Sequence, residues 1–128
     1  MITGVVTADR EAVIGLVVRG PAGKEQQIEA VVDTGFDGWC SLPPTLIVLL
    51  RLPWRRRGRA LLADGSESVF DIYEGTVVWE GRPRRIVVDE ADTAPLLGMA
   101  LLDGHELKVQ VRSGGRVTIK VLPRRKDA

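Results

Sequence analysis

An all-β fold follows from three features of the chain. Short runs rich in Val, Ile and Thr recur along it, turns bearing glycine or proline separate them, and only two brief stretches carry helical signals. Its 128 residues suit one domain, 1–128, with enough chain to bury a core without staples.

The elements follow in order. Met1 to Thr7 is an opening strand of β-branched character. Val13 to Arg19 and Gln26 to Val32 flank Gly20-Pro21-Ala22-Gly23, a strong turn signal, and form a first hairpin that ends at Asp33. Pro43 to Leu50 is the first helical stretch: Ser41 is placed to cap it, Pro43-Pro44 suits its first turn, and Pro53 lies past its end. Arg59 to Tyr73 reads as a second hairpin turning at Asp64-Gly65. Thr76 to Trp79 and Arg84 to Val88 flank Glu80-Gly81-Arg82-Pro83 as a third. Gly98 to Leu102 carries the second helical signal, stopping near Gly104. Leu107 to Val111 and Arg116 to Leu122 are joined by Ser113-Gly114-Gly115. The charged tail from Pro123 to Ala128 is expected to fray.

Bulk properties exclude more than they select. A net charge of +1 argues for no particular partner. Cys40 is the single cysteine, so no intrachain disulfide can form, and its apolar surroundings beside Trp39 favour a buried, inert thiol in a reducing compartment. The N-terminus lacks a basic segment followed by an apolar one, and the longest apolar run, Leu46 to Leu50, is far too short to cross a bilayer. The expectation is a soluble, cytoplasmic protein with no membrane partner.

One tripeptide carries chemical interest. Ile28-Glu29-Ala30-Val31-Val32 leads into Asp33-Thr34-Gly35, so an apolar strand delivers a carboxylate into a tight, buried turn. Threonine can bond backbone there and glycine permits close approach. Taken alone, the three residues describe either a strand-terminating turn or a carboxylate poised for acid/base work. Further along come Phe36-Asp37-Gly38-Trp39-Cys40, a hairpin around Ala63-Asp64-Gly65-Ser66, and Ala94-Pro95-Leu96-Leu97-Gly98 before a short helical stretch.

That order resembles the retropepsin-like (clan AA) aspartic proteases, in their stand-alone, single-domain bacterial form. The likeness spans residues 10 to 122 and rests on Val31-Val32-Asp33-Thr34-Gly35, the hairpin around Ala63 to Ser66, and Leu96-Leu97-Gly98. It implies a closed or partly closed β-barrel with a flap hairpin and one or two short helices. It also implies an aspartic endopeptidase that works as a homodimer, with one Asp33 from each subunit activating a water. Thr34 and Gly35 would shape the active loop. Phe36, Asp37, Gly38, Ala63, Asp64, Gly65 and Ser66 would contact a peptide substrate, and no metal or organic cofactor is implied. Phe36 stands where retroviral members usually have alanine. Met99 stands where many have the arginine that pairs with an acid near the active loop, which leaves Asp37 without that partner. The hairpin tip is Asp64-Gly65-Ser66 in place of a glycine run, and Pro43 to Leu50 is helical pattern the retroviral enzymes lack.

The remaining candidates have plainer readings. Asp37 is either a contact to substrate backbone or a solvated loop acid. His105 is the only histidine, and with no neighbouring ligand spacing it reads as a surface residue after a helix end. Trp39, Trp54 and Trp79 read as core or interface aromatics. Arg51, Arg55, Arg56, Arg57 and Arg59 cluster before the second hairpin, with Arg82, Arg84 and Arg85 following. Such a cluster can track phosphates, recognise acidic peptides or guard a strand edge, yet alternating arginines usually form a solvated face. Nucleic acid is not the expected partner. Two rival readings stand beside the protease: a retropepsin-like module that binds peptide without cutting it, and a basic β-domain that binds nucleic acid.

Overall fold

The computed structural model describes residues 1–124, which form ten strands and two short helices. They are β1 (Ile2–Val6), β2 (Ala12–Arg19), β3 (Glu25–Val32), β4 (Cys40–Leu42), α1 (Pro44–Leu50), β5 (Trp54–Leu61), β6 (Glu67–Trp79), β7 (Arg82–Glu90), β8 (Leu96–Leu97), α2 (Met99–Leu102), β9 (His105–Val109) and β10 (Arg116–Val121). Of the tail expected to fray, residues 125–128 lie outside the described residues.

Six strands close a barrel in the order β6-β7-β4-β8-β3-β2, and β2 returns to β6 to seal it. One edge of β2 serves two neighbours: Ala12 to Ile14 pair with β1, and Val17 to Arg19 pair with β6. Two extensions leave the barrel there. β5 continues from β6 as a hairpin, while β10 and β9 follow β1 as an antiparallel apron.

Alternation along the strands fills the core. Ile14, Leu16 and Val18 of β2 turn inward with Ile28 and Ala30 of β3, Val77 and Trp79 of β6, and Ile86 and Val88 of β7. Val117 and Ile119 of β10 join the same cluster. α1 adds Ile47 and Leu50, and α2 adds Leu101 and Leu102. Among the described residues, no helix is long and apolar enough to cross a membrane.

The structure departs from the sequence reading in ways that have local causes. β6 is one strand of 13 residues, so the second and third hairpins share it: Glu67 to Tyr73 pair with β5, and Ile72 to Trp79 with β7. Gly75, which falls between the two expected runs, is a buried strand position where Val88 and Leu52 crowd the backbone. The third hairpin turns more tightly than expected. Glu80 and Gly81 both have positive φ, 52° and 78°, the form of a two-residue turn matched to strand twist, and Arg82 is already in β7.

Ser41 does not cap α1. It lies within β4, while Pro43 occupies the cap position with no side-chain hydrogen bond, and Pro44 opens the helix. β5 begins at Trp54 rather than Arg59, so the arginine cluster is strand. Trp79 is core as expected, but Trp54 is 56% exposed and donates its indole N–H to Asp71 at 3.0 Å.

His105 is a clearer correction. Its side chain is largely buried, only 9% exposed, and it stands at the start of β9. Nε2 accepts the Trp79 indole N–H at 3.0 Å, so Nδ1 carries the proton and donates to the Asp103 carbonyl at 2.9 Å. The buried indole N–H of Trp79 needs an acceptor, and the imidazole supplies it.

Cys40 of β4 is fully buried, and burial, with the nearby Asp89 charge, pushes its thiol from 9.0 up to about 12. Below pH 9 folded and unfolded thiols are both protonated. Between pH 9 and about 12 only the unfolded one ionises, so the unfolded chain binds fewer protons and stability falls as pH rises. Denaturant melts across that window should show this loss, and Cys40→Ala should remove its part of the slope. A thiol reagent at pH 8 should leave the native protein unlabelled and react on unfolding.

Candidate active site

Asp33 follows β3, whose last residues pair in parallel with β8: Val31 opposes Leu96 and Val32 opposes Leu97. The pairing continues past the strand, where the Asp33 amide donates to the Leu97 carbonyl at 2.9 Å. The chain then turns, with Phe36 N–H returning to the Asp33 carbonyl at 3.2 Å and Gly35 N–H donating to Asp33 Oδ1 at 2.9 Å. One carboxylate oxygen is thereby oriented by its own loop. In this single chain the turn is not the buried one expected: Asp33 is half-buried, and Thr34 and Gly35 are exposed.

A second segment clamps the far side of the loop. Gly98 N–H donates to the Trp39 carbonyl at 3.0 Å, Met99 N–H to Phe36 at 2.8 Å and Ala100 N–H to Gly38 at 3.0 Å. These include amides that the first turn of α2 leaves without intrahelical partners. The approach is close enough that a Cβ on Gly98 would run into the Gly38 carbonyl oxygen. The Phe36 ring lies against Gly38 and Gly98, so two missing side chains make room for the bulk at this position. Met99 is 47% exposed, while its backbone amide holds the loop.

Asp33 sits where two hollows meet. The larger, about 1000 Å³, runs beneath the β5–β6 hairpin. Its floor includes Asp33, Gly35, Phe36, Asp37, Ser41 and Leu96, and its walls include Arg59 to Leu61 and Ser68 to Asp71. The smaller, about 380 Å³, opens toward β1 and β9 past Val6, Val31, Val32 and Val109. Of the residues singled out in sequence, Asp33, Gly35, Phe36 and Asp37 line the larger cleft. Thr34 and Gly38 belong to the same loop but do not line it, and Ala63, Asp64, Gly65 and Ser66 lie at the hairpin tip beyond its walls.

That tip is organised locally. Asp64 Oδ1 accepts from the Ser66 hydroxyl and from the Ser66 amide, which holds the carboxyl below its usual 3.8. Gly65 supplies the positive φ, 87°, that the turn requires.

Sequence reasoning missed the far wall. Asp89, Glu90 and Asp92 line the cleft from the end of β7 onward, and Ser41 from β4. Ser41 lies in a strand of three residues, too few for a period, and Asp89 meets it only through the pairing of β7 with β4. Burial raises the Asp89 carboxyl above the usual range, Arg56 opposes that rise, and Asp37 adds to it. Of the eight clustered arginines, four form ion pairs among the described residues. Arg55 and Arg85 meet Glu74, Arg57 lies 3.8 Å from Asp71, and Arg59 lies 3.7 Å from Glu67. Arg84 stacks over the Trp39 ring at 4.9 Å.

No family model and no curated protein sequence matches the chain. Among solved structures, it is similar to "EIAV protease complexed with the inhibitor HBY-793", with a TM-score of 0.52 and 16% identity over 73% of this chain and 86% of that one. With the closed six-stranded barrel and two short helices, that likeness establishes a retropepsin-like fold.

The clamp makes Gly98 the most size-sensitive position of the site. Gly98→Ala should lower stability by about 1–3 kcal/mol, because the added methyl meets backbone that cannot rotate away. Urea denaturation checks this. A variant as stable as the parent would show that the loop and α2 are not pressed together in solution.

Proposed function

We propose that the chain is an aspartic-type endopeptidase that works as a homodimer, with Asp33 as its catalytic residue. The observation that carries this reading is the placing of Asp33: a strand end pinned by β8, one oxygen oriented by the Gly35 amide, at the floor of a cleft roofed by a hairpin. The retropepsin-like fold supports it. Hydrolysis by a water needs both a base and an acid, and the chain contains one such loop. The second carboxylate therefore comes from a second copy across a two-fold axis.

The surface around the smaller hollow supports a partner there. Met1, Val5, Val111, Val121 and Leu122 are exposed apolar residues on or beside β1, β9 and β10. In the dimer, two Asp33 carboxylates stand too close for both to ionise, so the pair shares one proton. The ionised carboxylate takes a proton from water, which adds to the scissile carbonyl carbon while the protonated carboxyl hydrogen-bonds the carbonyl oxygen. Proton return to the leaving amine completes cleavage. Thr34 and Gly35 brace the loop against the partner's loop. An extended peptide lies between floor and hairpin, pairing its backbone with both, and residues Ala63 to Ser66 close over it as a flap that excludes water.

Sedimentation at about tens of micromolar should find a dimer, and a strict monomer would sink the proposal. Digestion of an unbiased peptide library between mildly acid and neutral pH should yield cleavage that falls at least roughly a thousandfold in Asp33→Asn. Cleavage that survives the substitution points to a contaminant. A confirmed dimer that cuts nothing favours the non-catalytic peptide-binding module.

A further inference from the structure

The cleft beneath the β5–β6 hairpin holds a charge imbalance that the whole molecule does not. The chain is near neutral at +1, yet Asp33, Asp37, Asp71, Asp89, Glu90 and Asp92 line the cleft against a single guanidinium, Arg59. Three of these acids are occupied. Asp33 accepts from its own loop, Asp71 from Trp54 with Arg57 nearby, and Glu90 from the Tyr73 hydroxyl at 3.4 Å. Asp37, Asp89 and Asp92 form no ion pair among the described residues.

An independent feature points to the same place. Ser41 is only 3% exposed, and its Oγ has no hydrogen-bond partner. Cys40 and Leu42 on either side of it belong to the core, so strand alternation turns Ser41 to the opposite face, which is the cleft floor. It stands in register with Asp89 of β7 and Leu96 of β8, both cleft residues. Buried hydroxyls are almost always bonded, so this orphan marks a position that a ligand completes. Asp89 stands over the loop, with Oδ2 3.4 Å from where a Gly38 Cβ would be. Burial disfavours its carboxylate, Arg56 offsets part of that cost, and the charge of Asp37 adds to it, so a further cation between the two acids is favoured. Two carboxylates and a hydroxyl on one cleft floor are all acceptors, the complement of an organic cation bearing several N–H groups.

We infer that the inner floor of the cleft is a subsite for one lysine or arginine side chain of an extended peptide, held by the carboxylates of Asp37 and Asp89 and by Ser41 Oγ as acceptor. Ammonium and guanidinium groups carry three and five N–H donors, enough to reach all three side chains at once. The inference rests on the reading of this cleft as a peptide site and gives that site a specificity.

The test uses fluorescent peptides in which one arginine, norleucine or glutamate is stepped along a fixed Ala/Ser background. Anisotropy measures binding to the full chain, and mass spectrometry of the same mixtures measures cleavage. At one position, arginine should bind about tenfold more tightly than norleucine, and glutamate more weakly than both. The Asp37→Asn/Asp89→Asn double variant should bring the arginine-to-norleucine ratio close to one, and Ser41→Ala should reduce it by a smaller factor. Equal affinities, no measurable binding of any peptide, or a ratio unchanged in the double variant overturns the subsite. Should the double variant fail to fold, an unchanged ratio in Ser41→Ala overturns it instead. Charge preference with no cleavage sinks the peptidase and leaves the subsite standing, whereas cleavage indifferent to arginine does the reverse.

Discussion

The backbone clamp between the Asp33 loop and the segment from Leu96 to Ala100 is the constraint on which the rest of the site depends. Amides of Gly98, Met99 and Ala100 donate to carbonyls of Trp39, Phe36 and Gly38, and the Asp33 amide donates to Leu97. Two stretches more than fifty residues apart in sequence thus satisfy each other's polar groups, and β8 is wedged between β3 and β4. Without that wedge the barrel has a gap beside β3, and the carboxylate has no fixed direction. Placing Leu97 in the core and Leu96 on the cleft face makes one dipeptide serve both stability and site.

Closure of the barrel has a second consequence. Because β2 and β6 pair only over a short stretch, each has its remaining length free for another neighbour. β6 spends its first half on the β5 hairpin, which roofs the cleft. β2 spends its own on β1, which begins the apron where the exposed apolar residues gather. Roof and apron therefore lie on either side of Asp33 as a result of one strand-pairing arrangement. In the proposed dimer, one side takes peptide and the other takes the partner.

Charge is distributed with similar economy. On the hairpin, arginines of β5 face acids of β6 across the ladder, so a cluster that looks strongly basic in sequence is mostly neutralised in place. These are exposed pairs and contribute little stability each. Arg56 is left outside these pairs and acts on Asp89 instead, so acids outnumber arginines along the cleft although the chain as a whole is near neutral. Phe36 shows a related compensation. Its ring is accommodated by glycines at 38 and 98.

Read alone, the sequence determined the β class, the first hairpin, both helical stretches, the burial of Cys40 and the placing of Asp33 after an apolar strand. Each of these is written in local chemistry: side-chain period, turn residues, a proline-opened helix. Only the tertiary structure decided that β6 runs unbroken through Gly75, that Ser41 and Leu96 are strand residues on the cleft face, that His105 meets Trp79, and that Asp89 of β7 stands near Asp37. Strands of two or three residues have too few positions to show a period, and a histidine's partner 26 residues away leaves no local mark. Pairings of that kind exist only once the barrel closes and brings distant residues into contact.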